Sequence, residues 1–245
     1  MESRSLETDV STTALNELRL LQHGLQSHEN VQTLLEVHPT LGTPTYESLV
    51  GISLEAITFH LQGPYASRVD MARRFGLDVA NGLVHLHEHG VVHRNLVPES
   101  VLVVQNVGAK IGNFDSCAIG VEERVHTLVG TPEYMAPEML KATAATSRVD
   151  WWSFGCLLYE IITGASLFDS QRDASVPGLL QRILYYDITT ALAYNSNVRT
   201  SELDMLSTLL TRDPAWRAHG SAVVDAPWFS CTASYMPYQP HQPLC

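Results

Sequence analysis

With 245 residues, 45% of them hydrophobic, and a formal net charge of -11, the chain is long enough for one large domain or two small lobes with a real core; its scattered basic residues leave no electrostatic footprint for nucleic acid or anionic lipid. Met1-Glu2-Ser3-Arg4 carries no apolar run and no later stretch approaches the length of an apolar membrane span, so neither secretion nor membrane insertion is expected. Four cysteines, at positions 117, 156, 231 and 245 and without C-x-x-C pairing, fit reduced thiols in the cytoplasm, with the nucleus left open, better than a disulfide framework or a zinc site.

Residues 1–13 are polar and rich in Ser, Thr and Glu, and they read as a disordered lead-in. From Thr13, a possible N-cap, Leu15, Leu18, Leu21 and Leu25 recur at helical spacing. Ser53 to Gln62 reads as a short helix ended by Gly63-Pro64. Ser67 to Glu88 is the strongest helical pattern, with Met71, Phe75, Val79, Leu83 and Leu86 forming one apolar stripe that belongs in a core. His85 and His89 lie one turn apart, but no third ligand is evident, so His85, His87 and His89 are read as structural and no metal is expected. The apolar runs Val101 to Val104 and Ala109 to Ile111 flank a Gln-Asn-Val-Gly turn and predict a hairpin. Arg148 to Gly164 is apolar nearly all round, as a helix at the centre of a domain would be. The last 16 residues, 230–245, with Pro237, Pro240 and Pro243, read as a disordered tail.

Around that hairpin stand His93-Arg94-Asn95, Pro98-Glu99 and Asn113-Phe114. Further on come Thr127 to Glu138, reading TLVGTPEYMAPE, then Asp150-Trp151-Trp152-Ser153-Phe154-Gly155, and then Arg212-Asp213-Pro214-Ala215-Trp216-Arg217. These motifs, in this order, resemble the protein kinase superfamily, serine/threonine type, and the activation segment is similar to that of the AGC group. The resemblance runs from about residue 14 to residue 229. It implies an α+β protein kinase-like fold with a mainly helical C-lobe over 53–229. The N-lobe over 14–52 would be partial, keeping only the kinase αC helix and the kinase strands β4 and β5. Glu17 would stand where αC carries its ion-pairing Glu, Gln32 to Val37 would lead into kinase β4, and Glu47 to Ile52 would be kinase β5. Leu179 to Leu192 and Glu202 to Leu210 would be kinase αG and αH, and Gly220 to Phe229 the closing helix.

In active kinases the catalytic-loop Asp accepts the substrate proton, an Asn and a second Asp hold magnesium, and a Lys on an N-lobe strand grips the nucleotide. At the matching positions this chain has Asn95, Ser100 and Asn113, with Val97 in place of the catalytic-loop Lys and Asp115 in place of the Gly of D-F-G. The only lysines are Lys110 and Lys141, and neither is obviously placed for the nucleotide; no glycine-rich loop occurs. No catalytic residue of the family is therefore intact. His93, Phe114, Glu138, Asp150 and Arg217 match residues that hold the fold together: Asp150 would tie down the His93-Arg94 turn, and Arg217 would pair with Glu138.

Thr127 falls where AGC kinases are phosphorylated, and Arg94 is the residue that would meet the phosphate. Thr127 is either so modified or an ordinary loop residue, because Ala118 occupies the place of a second basic partner. The resemblance implies a pseudokinase that scaffolds or regulates an active kinase or signalling client, with no cofactor and no nucleic-acid or membrane partner. The alternative is an atypical kinase that binds ATP and magnesium through Asp115, with its N-lobe missing or supplied in trans. The N-lobe remnant is expected to expose apolar surface and to offer a route to oligomers.

Overall fold

A computed structural model describes residues 27–37, 44–60, 64–119, 129–141, 143, 146–169, 176–188, 192 and 198–230. The helix expected from Thr13 with Glu17, the candidate phosphosite Thr127 and the tail beyond Ser230 lie outside these residues. Strands and helices are numbered in chain order.

The upper part is small. Strand β1 (Leu34–Val37) pairs antiparallel with β2 (Pro44–Tyr46), Leu34 opposite Tyr46, with an irregularity between Leu34 and Glu36. A second sheet has the order β3-β5-β6: β3 (Gly51–Ser53) pairs with β5 (Val101–Val104), and β5 with β6 (Gly108–Ile111), all antiparallel. Short β4 (Val91–Val92) and β7 (Ala118–Ile119) form a third pair.

The rest is helical: α1 (Leu54–His60), α2 (Tyr65–Glu88), α3 (Pro137–Leu140), α4 (Arg148–Thr163), α5 (Val176–Tyr185), α6 (Thr200–Leu209), α7 (Ser221–Val224) and α8 (Pro227–Ser230). Helix α4 is the centre. Twelve of its 16 residues are buried, among them Trp151, Trp152 and Phe154, which is why its sequence carries no polar face. Helix α2 crosses it where Gly76 leaves room for the Leu158 side chain, since a Cβ there would stand 2.7 Å from Leu158 Cδ2. Helix α4 ends at Gly164, whose φ of 77° is the left-handed conformation that stops helices and that glycine adopts without strain.

Three expectations are corrected. The strand placed at Glu47 to Ile52 lies at Pro44–Tyr46, while Gly51 and Ile52 pair with the C-lobe hairpin through Val104 and Val103. Leu49 and Val50 belong to the connector before β3, where apolar side chains mimic strand composition without a strand partner. The closing helix expected over Gly220 to Phe229 is two single turns, α7 and α8, because Pro227 has no N–H to continue the ladder and disfavours helical geometry at Ala226. The helix expected over Leu179 to Leu192 runs instead from Val176 to Tyr185.

Candidate functional site

The loop from His93 to Ser100 is pinned from below by α4. Asp150 is fully buried, and its two carboxylate oxygens accept the backbone N–H of His93 at 2.9 Å and of Arg94 at 2.7 Å. His87, on the last turn of α2, meets the same carboxylate at 2.8 Å. Burial works against the charge on Asp150, but the His87 hydrogen bond and the neighbouring imidazoles outweigh it and hold the carboxyl below its ordinary range. The bracket keeps Arg94 in a left-handed conformation, φ 64°, that a non-glycine residue rarely adopts.

His93 is buried, lies 2.9 Å from the carbonyl of Gly112 and meets Phe114 edge-on at 5.5 Å. Phe114 in turn stacks on Tyr46 of β2 at 6.2 Å, which links the upper ribbon to the loop through one aromatic file. The Arg94 guanidinium donates from Nε to the carbonyl of Ser116 at 2.5 Å and from Nη2 to that of Cys117 at 3.1 Å. Ala118 lies in β7 and is buried.

At the three positions where a kinase would place its proton acceptor and metal ligands, the side chains are neutral. Asn95 Oδ1 accepts from the N–H of Thr131 at 3.0 Å and from its hydroxyl at 3.1 Å. Ser100 is buried, and its hydroxyl donates to Val97 O at 2.8 Å and accepts from Val97 N at 3.0 Å, closing the turn on itself. Asn113 is exposed with φ 59°, a conformation asparagine tolerates better than most residues; Asp115 is exposed nearby. Val97 is buried.

Lys110, on β6, is committed elsewhere. Its ammonium donates to Glu47 Oε1 at 2.8 Å, and Glu47 also accepts the Thr33 amide at 2.9 Å. Lys141 is exposed at the end of α3. Below the loop, Glu138 and Arg217 form a two-pronged buried pair, Nη1 to Oε1 at 2.6 Å and Nη2 to Oε2 at 2.9 Å. Arg217 also donates to the carbonyls of Thr211, Arg148 and Arg212, and its guanidinium lies 5.2 Å over Trp152. His28, His85 and His89 form a stack of rings 4.6 and 4.3 Å apart, and no group of three metal-ligating residues occurs among the described residues.

The protein kinase domain model matches residues 1–229. The chain belongs to the protein kinase family. It is 34% identical over 162 residues to a RAC family serine/threonine-protein kinase homolog of Dictyostelium discoideum, a match that covers 65% of this chain and 35% of that protein. It is 32% identical over 174 residues to serine/threonine-protein kinase YPK1 of Saccharomyces cerevisiae, covering 70% of this chain and 25% of the relative. To serine/threonine-protein kinase gad8 of Schizosaccharomyces pombe it is 34% identical over 160 residues, covering 64% and 27%. The matched stretch is thus about a third of these relatives' length or less. They agree with the AGC-like reading of the C-lobe, and the described strands and helices are those of a kinase fold with a small N-lobe.

A kinase fold implies ATP and magnesium, and the side chains at the family's magnesium positions do not fit the metal. Magnesium is held by hard, charged oxygens in near-octahedral geometry. Among the described residues at the family's three positions the donors are two amides and a hydroxyl already spent on Val97, Asp115 being the one carboxylate beside them in sequence, and Lys110 is held by Glu47.

Sequence reading missed Glu47 and Asp78. Glu47 was foreshadowed by Lys110, since a lysine inside a strand buried along its length calls for an acidic partner. Asp78 sits on α2 and carried no local signal.

Proposed function

We propose that the chain is a pseudokinase: a kinase-fold interaction or regulatory protein without phosphotransfer. The observation that carries this reading is the fate of the side chains at the chemical positions. Asn95 bonds to Thr131, Ser100 to Val97 and Lys110 to Glu47, while the Asp150 bracket and the Glu138–Arg217 pair are complete. An amide has no charge to offer a metal and does not accept a proton at neutral pH. What the fold still supplies is a rigid C-lobe surface for a protein partner, an active kinase or a signalling client. The scattered basic residues favour neither nucleic acid nor membrane as partner, and no helix among the described residues is long and apolar enough to cross a membrane; the proposed compartment, by likeness to the relatives, is the cytoplasm, with the nucleus left open. Leu35 on β1 is 58% exposed, which makes the upper ribbon a candidate contact for a second copy.

A thermal-shift titration with ATP and magnesium tests the proposal. An occupied site at 100 times its Kd would stabilise the fold by about 2.7 kcal/mol, so a saturable rise in Tm would sink the non-binding form of the idea.

One observation favours a second reading. Asp115 is an exposed carboxylate two residues from Asn113, and it would be the metal ligand of an atypical serine/threonine kinase whose N-lobe is completed in trans. Transfer of radiolabelled phosphate from ATP, abolished by Asp115→Ala, would establish that reading.

A further inference from the structure

Beside the Asp150 bracket lies a cavity of about 620 Å³, between the last turns of α2, the start of α4 and the 219–225 segment that carries α7. Its size suits a small organic molecule. None of Asn95, Ser100, Asn113 or Asp115 lines it, so it is not the nucleotide cleft. Four imidazoles do line it, those of His28, His85, His87 and His219. Glu88 and Asp225 are its carboxylates, and Val84, Val224 and Trp151 give it an apolar wall.

Two of the imidazoles are held neutral. His28 Nδ1 accepts the backbone N–H of Asn30 at 3.1 Å, and a proton on that nitrogen would break the bond. The His28 ring also stacks on His85 at 4.6 Å. Burial first, then His85, lowers the pKa of His28, with Lys110 acting the same way and Glu29 opposing. At the other side of the cavity, burial, Arg148 and His87 lower that of His219. His87 donates from Nε2 to Asp150 at 2.8 Å, because a carboxylate there can only accept.

The electrostatics of the lining follow from this. With His28 and His219 neutral, the carboxylates of Glu88 and Asp225 set its sign. The nearby cations are engaged elsewhere, Arg148 with the Arg217 carbonyl at 2.8 Å and Lys110 with Glu47. Such a lining repels anions. Nor is it a metal centre, since no three ligating side chains converge among the described residues. An organic cation meets neither obstacle. An ammonium or amidinium has donors for neutral imidazole and for carboxylate and demands no fixed coordination geometry, while its apolar body finds Val84, Val224 and Trp151.

We propose that this cavity binds a small organic cation, an amine or amidine on an apolar body, with the charged group directed to Glu88, Asp225 and the imidazoles. His87 places the occupant one side chain from Asp150, and so from the turn that Asp150 pins. Protons compete with this ligand: as pH falls below 6.5, His28 and His219 gain charge and the cation is repelled.

Saturation-transfer NMR on the full chain with benzylamine, benzyl alcohol and benzoate tests this, because the three probes share a ring and differ in charge. Saturable binding of benzylamine is expected at pH 7.5, falling by about tenfold or more at pH 5.5, where the amine is still protonated. Benzoate should show no saturable binding, and benzyl alcohol should bind more weakly than the amine. Glu88→Gln combined with Asp225→Asn changes two exposed side chains and should weaken benzylamine by about tenfold with Tm unchanged. The proposal is overturned by a wild-type chain that shows no saturable benzylamine binding, or that binds benzoate or benzyl alcohol as tightly. Affinity that ignores pH, or that survives in a folded double variant, would overturn it as well.

Discussion

Asp78 on α2 accepts the backbone amide of Ala109 at 2.8 Å and fills the space where a side chain on Gly108 would begin. One carboxylate thus ties the long helix to the β5–β6 hairpin. Burial pushes this carboxyl up to about 6, against the Ala109 hydrogen bond and the Arg74 charge, which favour the ionised form. The folded value lies above the ordinary 3.8, so the fold favours the protonated acid. Its contribution is complete below the ordinary value and is lost as pH rises through about 6. Asp78→Asn keeps an acceptor oxygen and removes the charge. It should raise stability at pH 8 by up to about 3 kcal/mol, the equivalent of the shift, and the gain should vanish near pH 4. Urea denaturation of both chains at the two pH values checks this.

Removing one side of the Glu138–Arg217 pair leaves the other charge buried. Arg217→Met should destabilise the domain by about 3 to 5 kcal/mol. The variant is expected to unfold at markedly lower denaturant, followed by circular dichroism, and a loss under about 1 kcal/mol would mean that the pair is solvated in solution.

Asp150→Asn replaces one of two accepting oxygens with a donor that faces N–H groups. The unmatched donors should cost about 1 to 3 kcal/mol, with about as much again if Arg94 relaxes from its left-handed conformation. Because the Asp150 carboxyl is held below its ordinary range, its contribution is present above the unfolded carboxylate value and is lost only as pH falls through the lower folded one. The difference between wild type and variant should therefore stay constant from pH 8 to pH 5 in thermal melts.

On the pseudokinase reading, adding charge alone should not create nucleotide binding. In Asn95→Asp, Asn113→Asp the acidic positions return, yet Ser100 still closes its own turn and Lys110 still serves Glu47. No saturable rise in Tm with ATP and magnesium is expected. A rise would show that two carboxylates suffice.

The His28 ring stacks on that of His85 at 4.6 Å. Burial first, and His85 second, lower the pKa of His28, with Lys110 acting the same way and Glu29 opposing. The contribution of neutral His28 is present above 6.5 and is lost as pH falls through its lower folded value. His28→Gln should flatten the decline of Tm between pH 6.5 and 5 relative to wild type.

Elements whose pattern repeats along the chain were legible before the structure. Phe75, Val79, Leu83 and Leu86 mark the buried face of α2, and the runs around Gln105 to Gly108 mark the β5–β6 hairpin. Motif order was enough for the lobe, since Asp150, Glu138 and Arg217 lie in stretches whose spacing the family fixes. What stayed hidden were pairings between distant positions that no local period encodes. Lys110 meets Glu47 across 63 residues and Asp78 meets Ala109 across 31. The position of β2 was also obscured, because Leu49 and Val50 have strand-like side chains in the connector, and Ile52 belongs to β3, whose pairing is decided by the hairpin below it.

The embrace of Lys110 by Glu47 has one further consequence, for labelling. With Lys110 buried in its ion pair, Lys141 is the lysine side chain that the folded domain presents to solvent. Amine-directed reagents and lysine-tagging enzymes will therefore converge, among lysine side chains, on the end of α3, a few residues past Glu138, and a probe attached there reports on the segment that leads into α4.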